Sequence, residues 1–336
     1  MTALKPIRRE TASPLDRLLN ALDPDMAAVN DMIVARMDSS VPMIPQLAGY
    51  LIAAGGKRIR PLLTLATAMI YNADMKRAHR LATAVEFIHT ATLLHDDVVD
   101  DSDERRGQKS ANAVFGNEAS VLVGDFLFSR AFQLMVEDGS LDVLKTLSNA
   151  SAIIAQGEVL QLSTQNNIDT SMNDYLEVIK GKTASLFAAA CEVGPMIASK
   201  DKSAIEAMRE YGLALGMAFQ IVDDVLDYSA AQEKLGKTVG DDFREGKMTA
   251  PIIIALQKAD ASEKDFWTRT LKDRNQKDED LTTAQQLLQK HDALRDGLAL
   301  AGEYGEKARL ALAEAPDSLL RASLDDLVAF TISRDY

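Results

Sequence analysis

The chain reads Asp96-Asp97-Val98-Val99-Asp100 at the end of one apolar segment and Asp223-Asp224-Val225-Leu226-Asp227 at the end of another. In each cluster the first and last carboxylates are four residues apart and lie on one face of an α-helix. Like charges at this spacing destabilise a helix unless cations neutralise them. Oxygen ligands with no partnering Cys or His favour Mg²⁺, which usually bridges a few carboxylates to substrate phosphates. The clusters therefore predict a divalent-metal site between two facing helices; the alternative is a pair of solvated helix ends.

Apolar positions with a period of 3.6 residues predict an all-α chain around these clusters. The periodic segments are 61–71, 78–99, 119–135, 144–162, 172–190, 204–226 and 249–258. The polar and glycine-containing breaks between them are too short to be linkers between domains. The sequence predicts an N-terminal arm over 1–14 and, over 15–336, one domain, a bundle of antiparallel helices around a central cavity.

Composition excludes some classes of function. The chain has 336 residues and a formal net charge of −13, which argues against nucleic-acid binding, because a phosphate backbone requires a basic surface. The single cysteine, Cys191, cannot form an intramolecular disulfide, which favours a reducing cytoplasm. No run is expected to reach the length of a transmembrane span.

Basic residues near the clusters could hold an anion. Lys57 and Arg60 are three residues apart at a predicted helix start, where Pro61 suits the first turn and phosphate binds well. His89 lies two helical turns before Asp96 on nearly the same stripe. The alternatives are a solvated basic turn and a core histidine, and His79, His95 and His291 are interpreted as structural.

Three further segments could contact phosphates. Arg105-Arg106 can grip two phosphate groups through forked hydrogen bonds. Gly181 interrupts a helix, which suggests a close backbone approach that turns Lys182 and Thr183 toward a ligand. The glycine-bounded loop 236–247 carries lysines and could close as a lid, although an ordinary surface loop has the same composition.

Together these motifs resemble the trans-isoprenyl diphosphate synthases, and most closely the long-chain bacterial enzymes that make octaprenyl and decaprenyl side chains of quinones. The resemblance runs from about Leu15 to the C-terminus and implies the isoprenoid synthase fold. Its motifs are Gly56-Lys57-Arg58-Ile59-Arg60-Pro61, Phe87 to Asp97, Arg105-Arg106-Gly107, Gly181-Lys182-Thr183 and Phe219 to Asp227. Asp101, where a glutamate is expected, is a small departure that keeps the charge.

The resemblance also implies roles, position by position. Isopentenyl diphosphate would be bound by Lys57, Arg60, His89 and Arg106. The allylic diphosphate would be bound by Arg105, Lys182, Thr183, Gln220, Lys237 and Lys247. About three Mg²⁺ ions would have Asp96, Asp100 and Asp223 as their main ligands. Direct or water-mediated support would come from Asp97, Asp224 and Asp227. The residues expected to carry catalysis are Asp96, Asp97, Asp100, Arg105, Lys182, Asp223 and Lys237.

The length of the prenyl chain in the product is a more detailed prediction. By helical rise, Ala91 and Thr92 lie roughly 6 to 8 Å below Asp96 and Ile88 about 12 Å below it. Short-chain relatives carry aromatic residues near these positions, whereas Ala91 and Thr92 are small. We therefore expect a tunnel that continues past them and a C40 or C50 product for ubiquinone, destined for the membrane.

Several alternatives stay open on the sequence alone. One is a shorter-chain synthase that makes geranylgeranyl diphosphate, and another is a terpene cyclase, which would not need the second set of cations. A non-catalytic regulatory subunit is less consistent with two intact aspartate clusters. The resemblance also implies a homodimer, although no segment of the sequence demonstrates one.

Overall fold

The computed structural model describes residues 13–53, 56–105, 107–229 and 239–333. This part of the chain is all-α, which confirms the predicted fold class. The first helices are α1 Pro14–Ala21, α2 Asp23–Arg36, α3 Met43–Ala53, α4 Ile59–Ile70, α5 Met75–Val99, α6 Ala111–Phe115, α7 Asn117–Asp138, α8 Leu141–Thr164, α9 Met172–Ile179, α10 Ser185–Ile197 and α11 Lys202–Leu226. They are followed by α12 Asp241–Glu245, α13 Ala250–Lys258, α14 Ala261–Trp267, α15 Asp280–Lys290, α16 Ala293–Leu312 and α17 Leu319–Ile332.

A single small hairpin interrupts the helices within these described ranges. Its strands are β1, Glu104–Arg105, and β2, Gln108–Lys109, which pair antiparallel with Glu104 opposite Lys109. Gly107 lies between them with φ of +72°, a conformation that favours glycine. The hairpin follows directly on the first aspartate cluster and fixes Arg105 beside it.

The two helices that carry the aspartate clusters are the longest of those described. Both α5 and α11 have 25 residues, or roughly 37 Å at the usual helical rise. Each starts at an aspartate N-cap, Asp74 and Asp201, whose side chain accepts a backbone N–H from the first turn. Because both clusters occupy the last turn, the helices present them at their C-terminal ends.

Two glycines of α11 allow this helix to pack closely against α10. A Cβ atom added at Gly212 would lie 2.4 Å from the carbonyl oxygen of Phe187, and one added at Gly216 would lie 2.7 Å from Cα of Ala184. Only glycine permits these distances. The approach brings the residues that precede α10 next to the last turns of α11, where the second aspartate cluster lies.

Two clusters of buried apolar side chains stabilise the bundle. The larger contains residues of α1, α2, α4, α5, α7, α8 and α10 and the first half of α11. The smaller lies around α13 to α16 and the second half of α11. Since α11 and α16 contribute to both, these two helices join the clusters. The predicted arm over 1–14 lies almost entirely outside the described residues.

Two sequence expectations need correction. The predicted helix 172–190 is divided, because a π-helical turn, Lys180–Ala184, separates α9 from α10. The expectation that no segment reaches the length of a membrane span is wrong for α7, which has 22 residues and contains an 18-residue window with a mean hydropathy of 1.4. Less than half of its apolar window, 44%, is buried inside the molecule, on the face that packs along α5.

Candidate active site

Three of the four outer carboxylates of the aspartate clusters face one cavity, and the fourth, Asp227, does not line it. Asp96 and Asp100 reach it from α5, and Asp223 reaches it from α11. The cavity has a volume of about 1560 Å³ including its open mouth. We call it the diphosphate cavity. The structure therefore brings these three predicted metal ligands together across the bundle.

The inner carboxylates are held by neighbouring side chains. Asp97 is 3% exposed and accepts a hydrogen bond of 2.6 Å from Nε of Arg105. Asp224 is 5% exposed and accepts hydrogen bonds from the Tyr175 hydroxyl at 2.6 Å and from Nε2 of Gln220 at 2.8 Å. Neither carboxylate lines the diphosphate cavity. We therefore infer that Asp97 and Asp224 support the neighbouring residues that line the cavity.

Two lysines neutralise the first cluster. Nζ of Lys182 lies 3.7 Å from Asp96, and Nζ of Lys247 donates to Asp100 at 3.1 Å. Burial alone lowers the pKa of Lys247, but Asp242, Asp100 and Glu245 outweigh it and raise the pKa above its ordinary value. Lys247 is therefore fully charged at neutral pH and can face a phosphate.

The fold presents Lys182 through a close crossing of α8 and the π-helical turn. A Cβ atom added at Gly157 would lie 2.5 Å from the backbone nitrogen of Lys182, and one added at Gly181 would lie 3.0 Å from Cα of Gly157. The crossing also puts Glu158 within reach of Lys182, with 2.8 Å between Oε2 and Nζ. Thr183 Oγ1 donates to Oε1 of Gln220 at 2.8 Å. The close approach expected at Gly181 is thus present, and its partner is another glycine.

A second cationic group lines the same cavity. A guanidinium N–H of Arg60 donates to Nε2 of His89 at 3.0 Å, and the Arg60 guanidinium lies 4.6 Å from the ring centroid of Phe187. Lys57, which is exposed, lines the cavity with them. Arg106 and Lys237, predicted for the two substrates, lie outside the described residues.

The acidic groups around the second cluster carry raised pKa values. Burial raises the pKa of Asp224 to about 7 against its hydrogen bonds, and the neighbouring Asp223 and Asp227 carboxylates add to the shift. Burial also raises the pKa of Asp227 to about 6, although the backbone N–H of Asp242 donates to it at 3.1 Å. Burial, Asp224 and Asp227 raise the pKa of Asp242 well above its ordinary value. This corner of the site holds more negative charge than its cations offset, and positive charge would stabilise it.

The donor set fits Mg²⁺ that is shared with a ligand. The side chains that line the cavity offer hard carboxylate oxygens. Across residues 13–53, 56–105, 107–229 and 239–333, no three carboxylate, imidazole or thiolate groups are close enough to hold an ion by themselves. Mg²⁺ commonly binds through one or two carboxylates and completes its octahedron with water and substrate phosphates. The arrangement therefore suits a metal that binds together with a diphosphate.

Sequence reasoning missed three residues of the site. Glu158, Tyr175 and Asp242 contact Lys182, Asp224 and Asp227 respectively. Asp242 stands in the segment 236–247, for which the sequence suggests a lid, so its position is a signal for a role in the site. Glu158 follows Gly157 in an ordinary amphipathic helix, and only the helix crossing shows its importance.

The residues predicted to set chain length differ in position. Thr92 lines the diphosphate cavity one turn below Asp96. Ile88 and Ala91 are fully buried and line neither of the two described cavities that border α5.

The histidines interpreted as structural have protein partners: His79 contacts Asp25 at 2.7 Å, His95 contacts the Val121 carbonyl at 3.1 Å, and His291 contacts Glu263 at 2.8 Å.

An all-α bundle with two facing aspartate clusters and two cationic groups defines a prenyltransferase of the isoprenyl diphosphate synthase class. Residues 41–288 match the family model described as polyprenyl synthetase. The chain belongs to this family, which confirms the resemblance.

Relatives match over nearly the whole chain. The octaprenyl diphosphate synthase of Haemophilus influenzae is 41% identical, covering 98% of this chain and 100% of the relative. That of Escherichia coli is 42% identical, covering 96% and 99%. Among solved structures, a decaprenyl diphosphate synthase from Rhodobacter capsulatus superposes with a TM-score of 0.93 at 50% identity, covering 96% of this chain and 100% of that one. A polyprenyl synthase from Caulobacter crescentus, complexed with calcium and isoprenyl diphosphate, has the same TM-score and identity, covering 97% and 100%.

Proposed function

We propose that this chain is a Mg²⁺-dependent long-chain all-trans-polyprenyl diphosphate synthase that adds isopentenyl units to an allylic diphosphate. The observation that carries the proposal is the convergence of Asp96, Asp100 and Asp223 on one cavity. Lys182 and Lys247 flank the carboxylates, and the Arg60–His89 pair forms a second anion site across the same space. The aspartate and lysine group suits the allylic diphosphate, which leaves during the reaction. The Arg60–His89 pair suits the diphosphate of isopentenyl diphosphate, which stays on the product.

The reaction follows from charge. The allylic carbon–oxygen bond breaks with its electron pair on the departing diphosphate, and the double bond of isopentenyl diphosphate attacks the resulting cation. Loss of a proton to the departed diphosphate restores an allylic product one unit longer. Mg²⁺ held by Asp96, Asp100 and Asp223 would supply positive charge to the leaving group.

The side chains of this protein stabilise and shield the reacting groups. Lys182 and Lys247 oppose the charge that develops on the leaving diphosphate. Phe187 and Phe219 line the cavity with ring centroids 5.5 Å apart, and these apolar walls exclude water, which would quench the cation. Nε2 of His89 accepts a hydrogen bond from Arg60, so that nitrogen is engaged and does not serve as the base.

Product length is the finer part of the proposal. The octaprenyl synthases are 41% and 42% identical to this chain, whereas the geranylgeranyl diphosphate synthase of Saccharolobus solfataricus is 35% identical. The small Thr92 leaves the turn below Asp96 open to a tail. We propose a C40 or C50 product that becomes a quinone side chain, made in the cytoplasm, where the buried thiol of Cys191 stays reduced.

We also propose a homodimer. Large apolar side chains are exposed on α7 and α8, and such patches mark interaction surfaces. They are Val121 38%, Leu122 67%, Phe132 43% and Val136 64% on α7, with Ile153 42%, Val159 68%, Leu160 37% and Leu162 54% on α8. A second copy would cover them. Sedimentation of the purified protein at micromolar concentration tests the assembly.

The decisive assay separates a synthase from a cyclase. Purified protein is incubated with Mg²⁺, farnesyl diphosphate and labelled isopentenyl diphosphate, and the dephosphorylated products are separated by chain length. We expect label in C40 to C50 alcohols and none when EDTA replaces Mg²⁺. A cyclic hydrocarbon without label would establish a cyclase, which does not need the Arg60–His89 site. Label that stops at C20 would establish the shorter-chain alternative.

A further inference from the structure

A chain of three hydrogen bonds leads away from the diphosphate cavity. The Thr183 hydroxyl donates to Oε1 of Gln220 at 2.8 Å, and Nε2 of Gln220 donates to Oδ1 of Asp224 at 2.8 Å. The Tyr175 hydroxyl completes the chain by donating to Oδ2 of Asp224 at 2.6 Å. We call these four residues the Tyr175 chain. Thr183 and Gln220 line the diphosphate cavity, whereas Asp224 and Tyr175 do not, so an effect of Tyr175 on a ligand there must pass through the other members.

The hydrogen bonds of the Tyr175 chain have fixed directions. Burial, reinforced by the charge of Asp224, raises the pKa of Tyr175 well above its ordinary value, so the hydroxyl keeps its proton and acts as the donor. Because the Asp224 carboxylate accepts, the Gln220 side chain turns its NH₂ group to Asp224 and its oxygen to Thr183. The hydroxyl proton of Thr183 therefore points to Gln220. Tyr175 and Asp224 thus set the orientation of two side chains at the wall of the cavity.

The Tyr175 chain also fixes the π-helical turn that carries Lys182. Tyr175 lies on α9, which ends where this turn begins, and Thr183 lies within the turn. Gln220 and Asp224 are one helical turn apart on the same face of α11. The chain therefore attaches both α9 and the π-helical turn to one stripe of α11. Since π-helical turns are rare and occur frequently at functional sites, this attachment bears on the position of the Lys182 charge.

We propose that Tyr175 is a positioning residue for the allylic diphosphate. Its hydroxyl holds Asp224 and Gln220, and these hold the Thr183 hydroxyl and the turn that presents Lys182. The proposal rests on the function proposed above, in which Lys182 faces the allylic diphosphate. The Arg60–His89 pair is not part of the Tyr175 chain, so binding of isopentenyl diphosphate should not depend on Tyr175.

Removing one hydroxyl group tests the proposal. Tyr175→Phe keeps the ring and should lower kcat/KM for farnesyl diphosphate about tenfold, with KM for isopentenyl diphosphate unchanged. Tyr211→Phe is the matched control, because Tyr211 is also buried, lies on α11 and donates its hydroxyl to the Leu324 carbonyl oxygen at 3.0 Å. Both variants should lower the urea midpoint, but Tyr211→Phe should keep wild-type kinetics. Wild-type kinetics in Tyr175→Phe, or an equal kinetic loss in Tyr211→Phe, would overturn the proposal.

A double-mutant cycle tests whether the effect passes along the chain. Thr183→Val removes the hydroxyl at the cavity end and should also lower kcat/KM for farnesyl diphosphate. Because both hydroxyls act through one chain, Tyr175→Phe combined with Thr183→Val should lose clearly less than the product of the two single losses. Losses that multiply in full would show that Tyr175 acts independently of Thr183 and would contradict the chain.

Binding of an unreactive substrate separates this proposal from the proposed synthase activity. Farnesyl thiolodiphosphate has a carbon–sulfur bond that resists ionisation, and its affinity with Mg²⁺ is measured by titration calorimetry. Binding should be about tenfold weaker in Tyr175→Phe and unchanged in Tyr211→Phe. Unchanged affinity in Tyr175→Phe would overturn the positioning role. Binding by wild type without turnover would instead contradict the synthase activity.

Discussion

The two aspartate clusters have the same spacing but are stabilised by opposite means. The first, at the end of α5, is neutralised by cations: Lys182, Lys247 and Arg105 each lie within 4 Å of one of its carboxylates. Near the second, at the end of α11, Asp224 is held by the neutral donors Tyr175 and Gln220. Neutral donors do not offset the negative charge of a carboxylate as a cation does. Burial therefore outweighs the hydrogen bonds and raises the pKa of Asp224 to about 7 and that of Asp227 to about 6. The second cluster therefore depends more on an added cation.

The turn beneath each cluster also differs. Four residues before Asp96 stands Thr92, and four residues before Asp223 stands Phe219; both line the diphosphate cavity. An aromatic ring closes the α11 side, and a small side chain leaves the α5 side open. A growing tail is therefore expected to descend along α5.

Removing one outer carboxylate from either cluster should have the largest effect. Asp96→Asn and Asp223→Asn should each lower kcat by about 10² to 10³, the usual loss when one preorganised electrostatic contact is removed. Steady-state incorporation of labelled isopentenyl diphosphate measures it. Asp101→Asn, an exposed neighbour of the first cluster, is the control and should keep full activity. A large loss in only one cluster would show that they do not act on the same diphosphate.

Closing the α5 side should shorten the product. Thr92→Phe copies the aromatic turn of α11 and should shift the products below C40 by several isoprene units, whereas Thr92→Val should leave them unchanged. Ala91→Phe is expected mainly to destabilise the protein, because Ala91 is fully buried and lines neither cavity that borders α5. Chromatography of the dephosphorylated products gives the distribution. An unchanged spectrum in Thr92→Phe would refute the α5 route.

The Glu158–Lys182 pair tests how the first cluster is organised. Glu158→Gln removes a charged hydrogen bond of 2.8 Å and should lower kcat/KM for the allylic diphosphate about tenfold, because Lys182 loses its orientation. Glu177→Gln is the matched control, since Glu177 pairs with the exposed Lys180 at 3.2 Å. KM for isopentenyl diphosphate should not change in either variant. Equal effects of the two substitutions would show that Glu158 acts only through its general negative charge and does not orient Lys182.

The smallest effect concerns stability and pH in the metal-free protein. The folded pKa of Asp224, about 7, lies above its ordinary value of 3.8, so the folded state binds the proton more tightly than the unfolded state. Its contribution is complete below pH 4 and is lost as the pH rises through 7. The urea midpoint in EDTA should therefore fall between pH 5.5 and 8, and less steeply in Asp224→Asn. A midpoint that rises over this range, or a slope that Asp224→Asn leaves intact, would contradict the shift.

Much of this arrangement was predictable from the sequence, because helical periodicity and i,i+4 spacing are local. They place Asp96 and Asp100 on one face of α5 before any tertiary contact is known. What could not be predicted depends on distant segments. The close approach at Gly181 is expected from the sequence, but not its partner Gly157, which brings Glu158 to Lys182, nor the π-helical turn that divides 172–190. The inward position of Ala91 likewise depends on how α5 packs against its neighbours.

The central claim, that both clusters bind one metal–diphosphate unit, is tested most directly by a double-mutant cycle on ligand affinity. Binding of farnesyl thiolodiphosphate with Mg²⁺ is measured by calorimetry in wild type, Asp96→Asn, Asp223→Asn and the double variant. For one shared unit, the double variant should lose little more binding free energy than the worse single variant. Losses that add in full would show two independent sites and contradict the account.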